Sequence, residues 1–191
     1  TQTAYDAAGR VTTTTDARGN VTTFGYDNAN RRTSVKNALN ETTTNAYVNA
    51  GNLTSFTDAL NHSTSYIYDD RGLRTTITFP DSTTQLTTFD ALGRKVAATD
   101  QAGKIVRYRY DDLGRLVELR QYLDQSLAPN DANFQLPAST SGVVSTSYTY
   151  DDVGNRIAQT DALGRTTRYA YDSLGRRVKR TLPLGQVETF A

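Results

Sequence analysis

A Tyr-Asp dipeptide or a near variant returns at Tyr5-Asp6, Tyr26-Asp27, Tyr47-Val48, Tyr68-Asp69, Phe89-Asp90, Tyr110-Asp111, Tyr150-Asp151 and Tyr171-Asp172. The interval is 21 residues in six cases of seven and 40 in the other. A short unit copied at a fixed interval cannot bury its apolar surface alone, so the chain must stack its units and each unit contacts mainly its neighbours. What one unit is therefore decides the architecture.

Within each unit a residue tolerant of positive φ follows three positions after the dipeptide's second residue. It is Gly9, Gly51, Gly72, Gly93, Gly114, Gly154 or Gly175, with Asn30 standing in once. Asp at the first position can accept hydrogen bonds from backbone N–H groups ahead of it, and Gly lets the chain re-enter a strand without a Cβ clash. A second turn interleaves with the first, at Asp16…Gly19, Asn37…Asn40, Asp58…Asn61, Asp100…Gly103 and Asp161…Gly164. Turns every 10 or 11 residues leave about six or seven residues per strand, an ordinary strand length, and two strands per repeat.

Between the turns the apolar pattern has period two. Phe24/Tyr26, Tyr66/Tyr68, Tyr108/Tyr110, Tyr148/Tyr150 and Tyr169/Tyr171 each place two aromatics on one face of an extended segment. First strands carry Val35, Phe56, Ile77 and Leu119 at one equivalent position, with Thr14 and Ala98 there in other copies. No stretch sustains a helical period. The 31 threonines, and tyrosines outnumbering phenylalanines 12 to 6, suit a pleated, half-wet surface. The reading is all-β: about 16 short antiparallel strands, an estimate of two per repeat, too many to stay flat given strand twist, so the sheet should curl.

Three places depart from the pattern. Phe79-Pro80-Asp81 and Leu182-Pro183-Leu184-Gly185 replace the second turn in the fourth and eighth copies, where proline fixes φ at a turn position. In the sixth, about 19 extra residues fall within 121–142, including Pro129, Asn130, Pro137 and Ser139. They read as a long excursion from a hairpin tip, which a repeat array tolerates because closure entropy grows slowly with loop length. Residues 1–191 are otherwise one array, read as an internal piece of a longer protein because the sequence holds no methionine.

Composition closes off several functions. Cysteine is absent, which removes disulfides, thiolate metal sites and cysteine nucleophiles. Lys+Arg 21 against Asp+Glu 20, interspersed along the chain, give no field that would gather nucleic acid. No apolar run is long enough for a membrane span. The glycines stand singly at turns, so no phosphate-binding loop is present.

The remaining candidates read as structural. The Asp ladder (Asp6, Asp27, Asp69, Asp90, Asp111, Asp151, Asp172) sits at turn-initiating positions, and carboxylates one repeat apart would be about 9–10 Å apart, too far to share a metal. Arg10, Arg31, Arg94, Arg115 and Arg176 follow the turns at one offset and could meet turn carboxylates or tyrosine faces. The tyrosine columns are expected to stack on equivalent residues of neighbouring repeats and serve as the core. The sole histidine, His62, follows Asn61 at a turn tip, where no buried neighbours could hold a catalytic imidazole. No catalytic, cofactor-binding or metal-ligating residue is assigned.

Taken together, Tyr-Asp-x-x-Gly-Arg-Leu, Asp-x-x-Gly and Thr-x-Tyr-x-Tyr-Asp at a 21-residue period resemble the YD or RHS repeat over residues 3–190. The resemblance implies a β-hairpin ribbon spiralling into part of a hollow shell, as in bacterial Rhs polymorphic toxins, the BC components of insecticidal toxin complexes and animal teneurins. It implies a secreted or cell-surface bacterial protein whose wall encloses a C-terminal toxin or other cargo. Its partners would be flanking repeats, capping domains and that cargo. In bacterial members an aspartyl element with an Asp-Pro-x-Gly-Leu-like signature releases the toxin; no such signature occurs in this sequence, so self-cleavage is not assigned to it. The alternative is an extracellular adhesion or glycan-binding module.

Overall fold

A computed structural model of the chain describes residues 1–128, 134, 136 and 140–190. Of the sequence features singled out in the insertion, Pro129, Asn130, Pro137 and Ser139 lie outside these residues. The chain divides into two compact units, Thr1–Gln85 and the part from Leu86 onward. In the first, β1 (Gln2–Tyr5), β2 (Val11–Thr15), β3 (Val21–Tyr26), β4 (Arg32–Lys36), β5 (Thr42–Tyr47), β6 (Leu53–Thr57), β7 (Ser63–Tyr68) and β8 (Arg74–Thr78) each pair antiparallel with the next. A ninth strand, β9 (Thr84–Phe89), straddles the division. In the second unit its later residues pair with β10 (Lys95–Thr99), followed by β11 (Ile105–Tyr110), β12 (Leu116–Tyr122), β13 (Val143–Tyr150), β14 (Arg156–Thr160), β15 (Thr166–Tyr171), β16 (Arg177–Thr181) and β17 (Val187–Thr189). These too pair antiparallel in sequence order. The seventeen strands among the described residues are the two per repeat that the turn spacing requires, plus one.

Both kinds of turn have one geometry. Asp6 donates its N–H to Arg10 O (2.9 Å), and Gly9 donates to Asp6 O (3.0 Å). In the interleaved kind Asp16 does the same with Asn20 O (3.0 Å) and Gly19 with Asp16 O (3.1 Å). This is a type I turn closed by a left-handed residue, a common three-residue hairpin connection. Gly114 takes φ of 79°, and the asparagines foreseen at this position, Asn30, Asn40 and Asn61, take 63°, 66° and 65°. Ser82 joins them at 66° in the turn that follows Pro80; there the sequence marked the proline and not the residue that bears the strain.

An odd repeat length raises a problem of parity. Each turn pairs a residue with the one four later, as Asp6 with Arg10, so partners across a hairpin would share parity. Because side chains alternate faces along a strand, a 21-residue period would then put equivalent residues on opposite faces in successive repeats. One bulge per repeat removes the conflict. In every Tyr-Asp hairpin the register slips by one residue, which leaves Thr12, Thr33, Thr54, Thr75, Val96, Val117, Ile157 or Val178 unpaired. All eight are β-branched. The alternate hairpins β2–β3, β4–β5, β6–β7, β10–β11, β14–β15 and β16–β17 carry no slip.

With parity restored, one face collects the aromatic and aliphatic residues: Phe24 lies opposite Val35, Tyr66 opposite Ile77 and Tyr108 opposite Leu119. The other face of the first unit is mostly small hydroxyl residues, with Thr13 opposite Thr23, Ser34 opposite Thr44 and Ser55 opposite Ser65, and carries Val21, Lys36 and Ile67 among them. No residue of the first unit is buried. It is a single layer whose two faces both remain partly wet.

The second unit has one place where a second layer forms. Beyond β12 the chain makes a single 3-10 turn, Gln125–Leu127, capped by the Asp124 side chain, and folds back onto the sheet. Tyr122, Ala128 and Val143 are buried there, with Ile105 and Leu127 packed against them. Arg107 on β11 donates through Nε and Nη2 to Ala128 O (3.2 and 3.1 Å), and Ile105 N donates to Gln125 Oε1 (3.0 Å). The described part of the insertion, which the sequence read as a long excursion from a hairpin tip, packs on the face of the second unit that carries Arg107 and Arg120.

The turn geometry makes a direct prediction. An added Cβ at Gly114 would meet only Arg94 Nη1 at 3.6 Å, so space is available and the cost is backbone strain. Gly114→Val should lower stability by at least about 1 kcal/mol, while Asn30→Gly, which relieves the positive φ but gives up the exposed hydrogen bond from Arg10 Nη1 to Asn30 Oδ1 (2.9 Å), should be close to neutral. Equal melting shifts for the two variants would contradict the left-handed assignment.

Candidate functional site

The predicted ladder residues come together along the edge of each unit that carries the Tyr-Asp turns. There the backbone ladder between neighbouring repeats stops early. β2 and β3 pair over three positions, ending at Thr13 opposite Thr23, and β10 and β11 over three, ending at Ala97 opposite Arg107. From the bulge to the turn the two repeats share no ladder, and side chains bridge them instead.

Tyrosine makes the first bridge. Tyr26 Oη donates to Val11 O (2.9 Å), Tyr47 to Arg32 O (3.0 Å), Tyr68 to Leu53 O (2.8 Å), Tyr110 to Lys95 O (2.9 Å), Tyr150 to Leu116 O (2.8 Å) and Tyr171 to Arg156 O (3.0 Å). Each acceptor immediately precedes the unpaired bulge residue of the preceding repeat, so the phenol satisfies a carbonyl at the point where the ladder has ended.

Arginine makes the second. Arg10 Nε donates to Asp6 Oδ2 of its own turn (2.7 Å), its guanidinium lies 4.9 Å from the centroid of Tyr26, and Nη1 donates to Asp27 O of the next turn (3.0 Å). Arg31 repeats this with Asp27 (2.7 Å), Tyr47 (4.8 Å) and Val48 O (2.6 Å). Arg94 does so with Asp90 (2.7 Å), Tyr110 (4.8 Å) and Asp111 O (3.4 Å). Arg115 spans the insertion to reach Tyr150 (4.9 Å) and Asp151 O (3.0 Å) while holding Asp111 (2.7 Å). Planarity lets one guanidinium serve a carboxylate, a ring and a carbonyl at once, which an ammonium cannot do. Tyr26, Tyr47, Tyr110 and Tyr150 thus each meet a cation of the preceding repeat.

The Asp carboxylates are fully engaged at these turns. Asp6 Oδ1 accepts from the N–H groups of Ala8 (3.0 Å) and Arg10 (2.9 Å), and Oδ2 takes the arginine. For Asp6, Asp27 and Asp172 the backbone N–H of the arginine is the main cause that lowers the carboxyl below its ordinary value. For Asp90 and Asp111 burial pushes the carboxyl up, and the backbone and side-chain donors of Arg94 and Arg115 outweigh it. Among the described residues no group of three or more His, Asp and Glu is placed to hold a metal ion. His62 Nδ1 lies 3.0 Å from Asp58 Oδ2, half-exposed, in the place that arginine takes at other turns.

Three turns vary the clamp. Leu73 stands in the arginine position after Asp69, whose carboxylate is taken by Arg71 (Nη2, 2.7 Å). Asn155 replaces it after Asp151 (Nδ2 to Oδ2, 2.9 Å). Val48 and Asn52 replace the acid and the base together.

A second constellation was not read from the sequence. On β11, β12 and β13 Glu118 is buried and accepts from Arg109 (Nη2 to Oε2, 2.6 Å), Arg120 (Nε to Oε1, 2.7 Å) and Ser145 (Oγ to Oε1, 2.8 Å). Phe134 of the insertion covers both guanidinium groups, 4.8 Å from Arg120 and 5.6 Å from Arg109, and Leu136 O accepts from Arg120 Nη1 (2.8 Å). Burial pushes Glu118 up, but the donors of Arg120, Ser145 and Arg109 win and lower its carboxyl. Its signal was Glu118-x-Arg120-x-Tyr122, two charged residues at period two where the other copies carry Thr, Ser or Ala at one or both positions.

The geometry defines a class: a repeat-built antiparallel ribbon whose units are joined along one edge by side-chain clamps. The profile of the RHS Repeat family matches residues 5–42, 49–84, 89–122 and 150–187, and the chain belongs to that family. No curated protein sequence matches the chain. Among solved structures it is similar to a crystal structure of TcdB2-TccC3-Cdc42 (16% identity, TM-score 0.57, 98% of this chain and 12% of that one). It is also similar to a Tc holotoxin pore from Photorhabdus luminescens (18% identity, TM-score 0.55, 94% and 12%). A third is TcdB2-TccC3 without its hypervariable C-terminal region (15% identity, TM-score 0.55, 98% and 12%). These likenesses establish the fold, and the chain spans about an eighth of the solved chains it matches.

The lowered carboxyls fix a pH dependence. Asp and Glu side chains whose folded values lie below the unfolded ones, about 4, contribute stability that is fully present above that pH and is lost as the pH falls through the folded values. Melting temperature should be flat from pH 8 to 5 and fall steeply below pH 4, as followed by circular dichroism. A melting temperature unchanged down to pH 2 would contradict the clamp.

Proposed function

We propose that this chain is a stretch of wall in a secreted or cell-surface RHS-repeat protein that encloses a toxin or other polypeptide cargo, and that it carries no catalysis of its own. The observation that carries this reading is the clamp: the ladder's carboxylates and most of its tyrosine faces are spent on joining one repeat to the next. Arg10, Arg31, Arg94 and Arg115 cover Tyr26, Tyr47, Tyr110 and Tyr150. Arg74, Lys95 and Arg156 lie over three more tyrosines, at 5.5 Å from Tyr66, 5.2 Å from Tyr108 and 5.1 Å from Tyr169. A glycan platform needs open aromatic faces, so the adhesion reading is the less favoured one. The likeness of fold to Tc toxin assemblies supports the wall reading. Flanking repeats, capping domains and the cargo are the partners it implies, and no cofactor is required.

Limited proteolysis of the intact parent polypeptide tests the reading. A cargo segment inside the wall should resist a protease that cuts the same segment when it is expressed free, and a glycan panel should give no specific binding. Equal cleavage rates inside and outside the wall, or reproducible capture of one glycan, would overturn it.

A further inference from the structure

The joint between the turn Val48–Gly51 and the turn Asp69–Gly72 keeps the walls of the clamp and lacks its contents. At four other joints a guanidinium lies 4.8–4.9 Å from the tyrosine centroid. It donates to the first carbonyl of the next turn at 2.6–3.4 Å. Here the tyrosine is in its usual position, with Tyr68 Oη on Leu53 O at 2.8 Å, and Asp69 O opens the next turn as Asp27 O and Asp111 O do. Asn52, in the arginine position, reaches only as far as Gly72, where a Cβ would lie 3.5 Å from its Nδ2. Among the described residues no cation lies over Tyr68. The space is an open pocket of about 660 Å³, lined by Val48, Asn52, Tyr68, Asp70 and Gly72 and, at its rim, by Arg71, whose guanidinium is held on the Asp69 carboxylate (2.7 Å) rather than over the tyrosine.

The four filled joints specify what such a space holds; the joint at Tyr171, where Asn155 stands in the arginine position, has no cation over its ring among the described residues but keeps Asp151. A planar cation stacks on the phenol and donates in its own plane to the carbonyl beyond, which selects guanidinium over ammonium. Loss of Asp and Arg together, as Val48 and Asn52, leaves no partner ion stranded in the pocket. Asp70, exposed and in no ion pair among the described residues, supplies a carboxylate at the rim. We propose that this joint is a receptor slot for an arginine side chain presented by another polypeptide segment. The inference rests on comparing the joints with one another and goes beyond the wall reading; it stands whether or not the chain encloses anything.

The test is an NMR titration of the whole chain with N-acetyl-arginine amide, with N-acetyl-lysine amide and free guanidinium in parallel, followed by an arginine-containing peptide. The arginine derivative should shift the Tyr68 ring and the Asp69–Gly72 amides saturably, with a dissociation constant on the order of millimolar. The lysine derivative should bind at least about threefold more weakly because it lacks the planar fork, and the peptide at least as tightly as the capped residue. The double variant Val48→Asp/Asn52→Arg should fill the slot from within, abolish these shifts and raise the melting temperature. Equal binding of arginine and lysine derivatives, equal shifts at the filled joints of Tyr26 and Tyr110, or undiminished binding by a folded double variant would each overturn the proposal.

Discussion

Each unit depends on a replacement of backbone by side chain at one edge. Hydrogen-bonded strands can be added indefinitely, but a repeat with an odd number of residues must spend one of them on a bulge to keep its faces in phase. The bulge ends the ladder between neighbouring repeats and leaves a carbonyl unpaired just before it. The Tyr hydroxyl satisfies that carbonyl, the Arg guanidinium fills the gap above it and the Asp carboxylate holds the Arg. Tyr, Asp, Gly and Arg recur at one spacing because each answers a consequence of the others.

This explains how a layer without a buried core can hold. In the first unit no residue is buried, so apolar burial in the ordinary sense contributes little and stability must be a sum of repeat and neighbour terms. A cation over an aromatic ring is worth about 0.5–1 kcal/mol at an exposed site, and the accompanying ion pair no more than about that. One clamp is weak, while a row of them offsets the entropy of ordering the chain only together with the ladders. The insertion supplies a local second layer in the second unit, where Tyr122, Ala128 and Val143 are buried together and Phe134 covers the guanidinium of the buried Glu118–Arg120 pair.

Much of this was legible in the sequence. The strands, both turns and the left-handed positions follow from Gly and Asn at fixed offsets, because few residues tolerate positive φ. Ser82 was hidden because serine has no strong preference for that region. The bulges were not read, although all eight unpaired residues are Thr, Val or Ile; β-branching is so common in strands that it does not mark a slip by itself. The arithmetic of an odd period could have found them. The Arg positions suggested a carboxylate or a ring as alternatives, whereas the structure uses both and adds the next turn's carbonyl. The folding back of the insertion lay beyond local pattern, since it depends on contacts between Ile105, Tyr122, Leu127 and Val143 that are distant along the chain.

The central claim is that neighbouring repeats are coupled through the clamp and distant ones are not. A double-mutant cycle on Arg94→Ala and Tyr110→Leu, compared with one on Arg94→Ala and Tyr150→Leu, measures this from equilibrium unfolding. The account predicts a coupling of about 0.5–1 kcal/mol for the adjacent pair and none beyond error for the separated pair. Zero coupling between Arg94 and Tyr110, or equal coupling in both cycles, would contradict it.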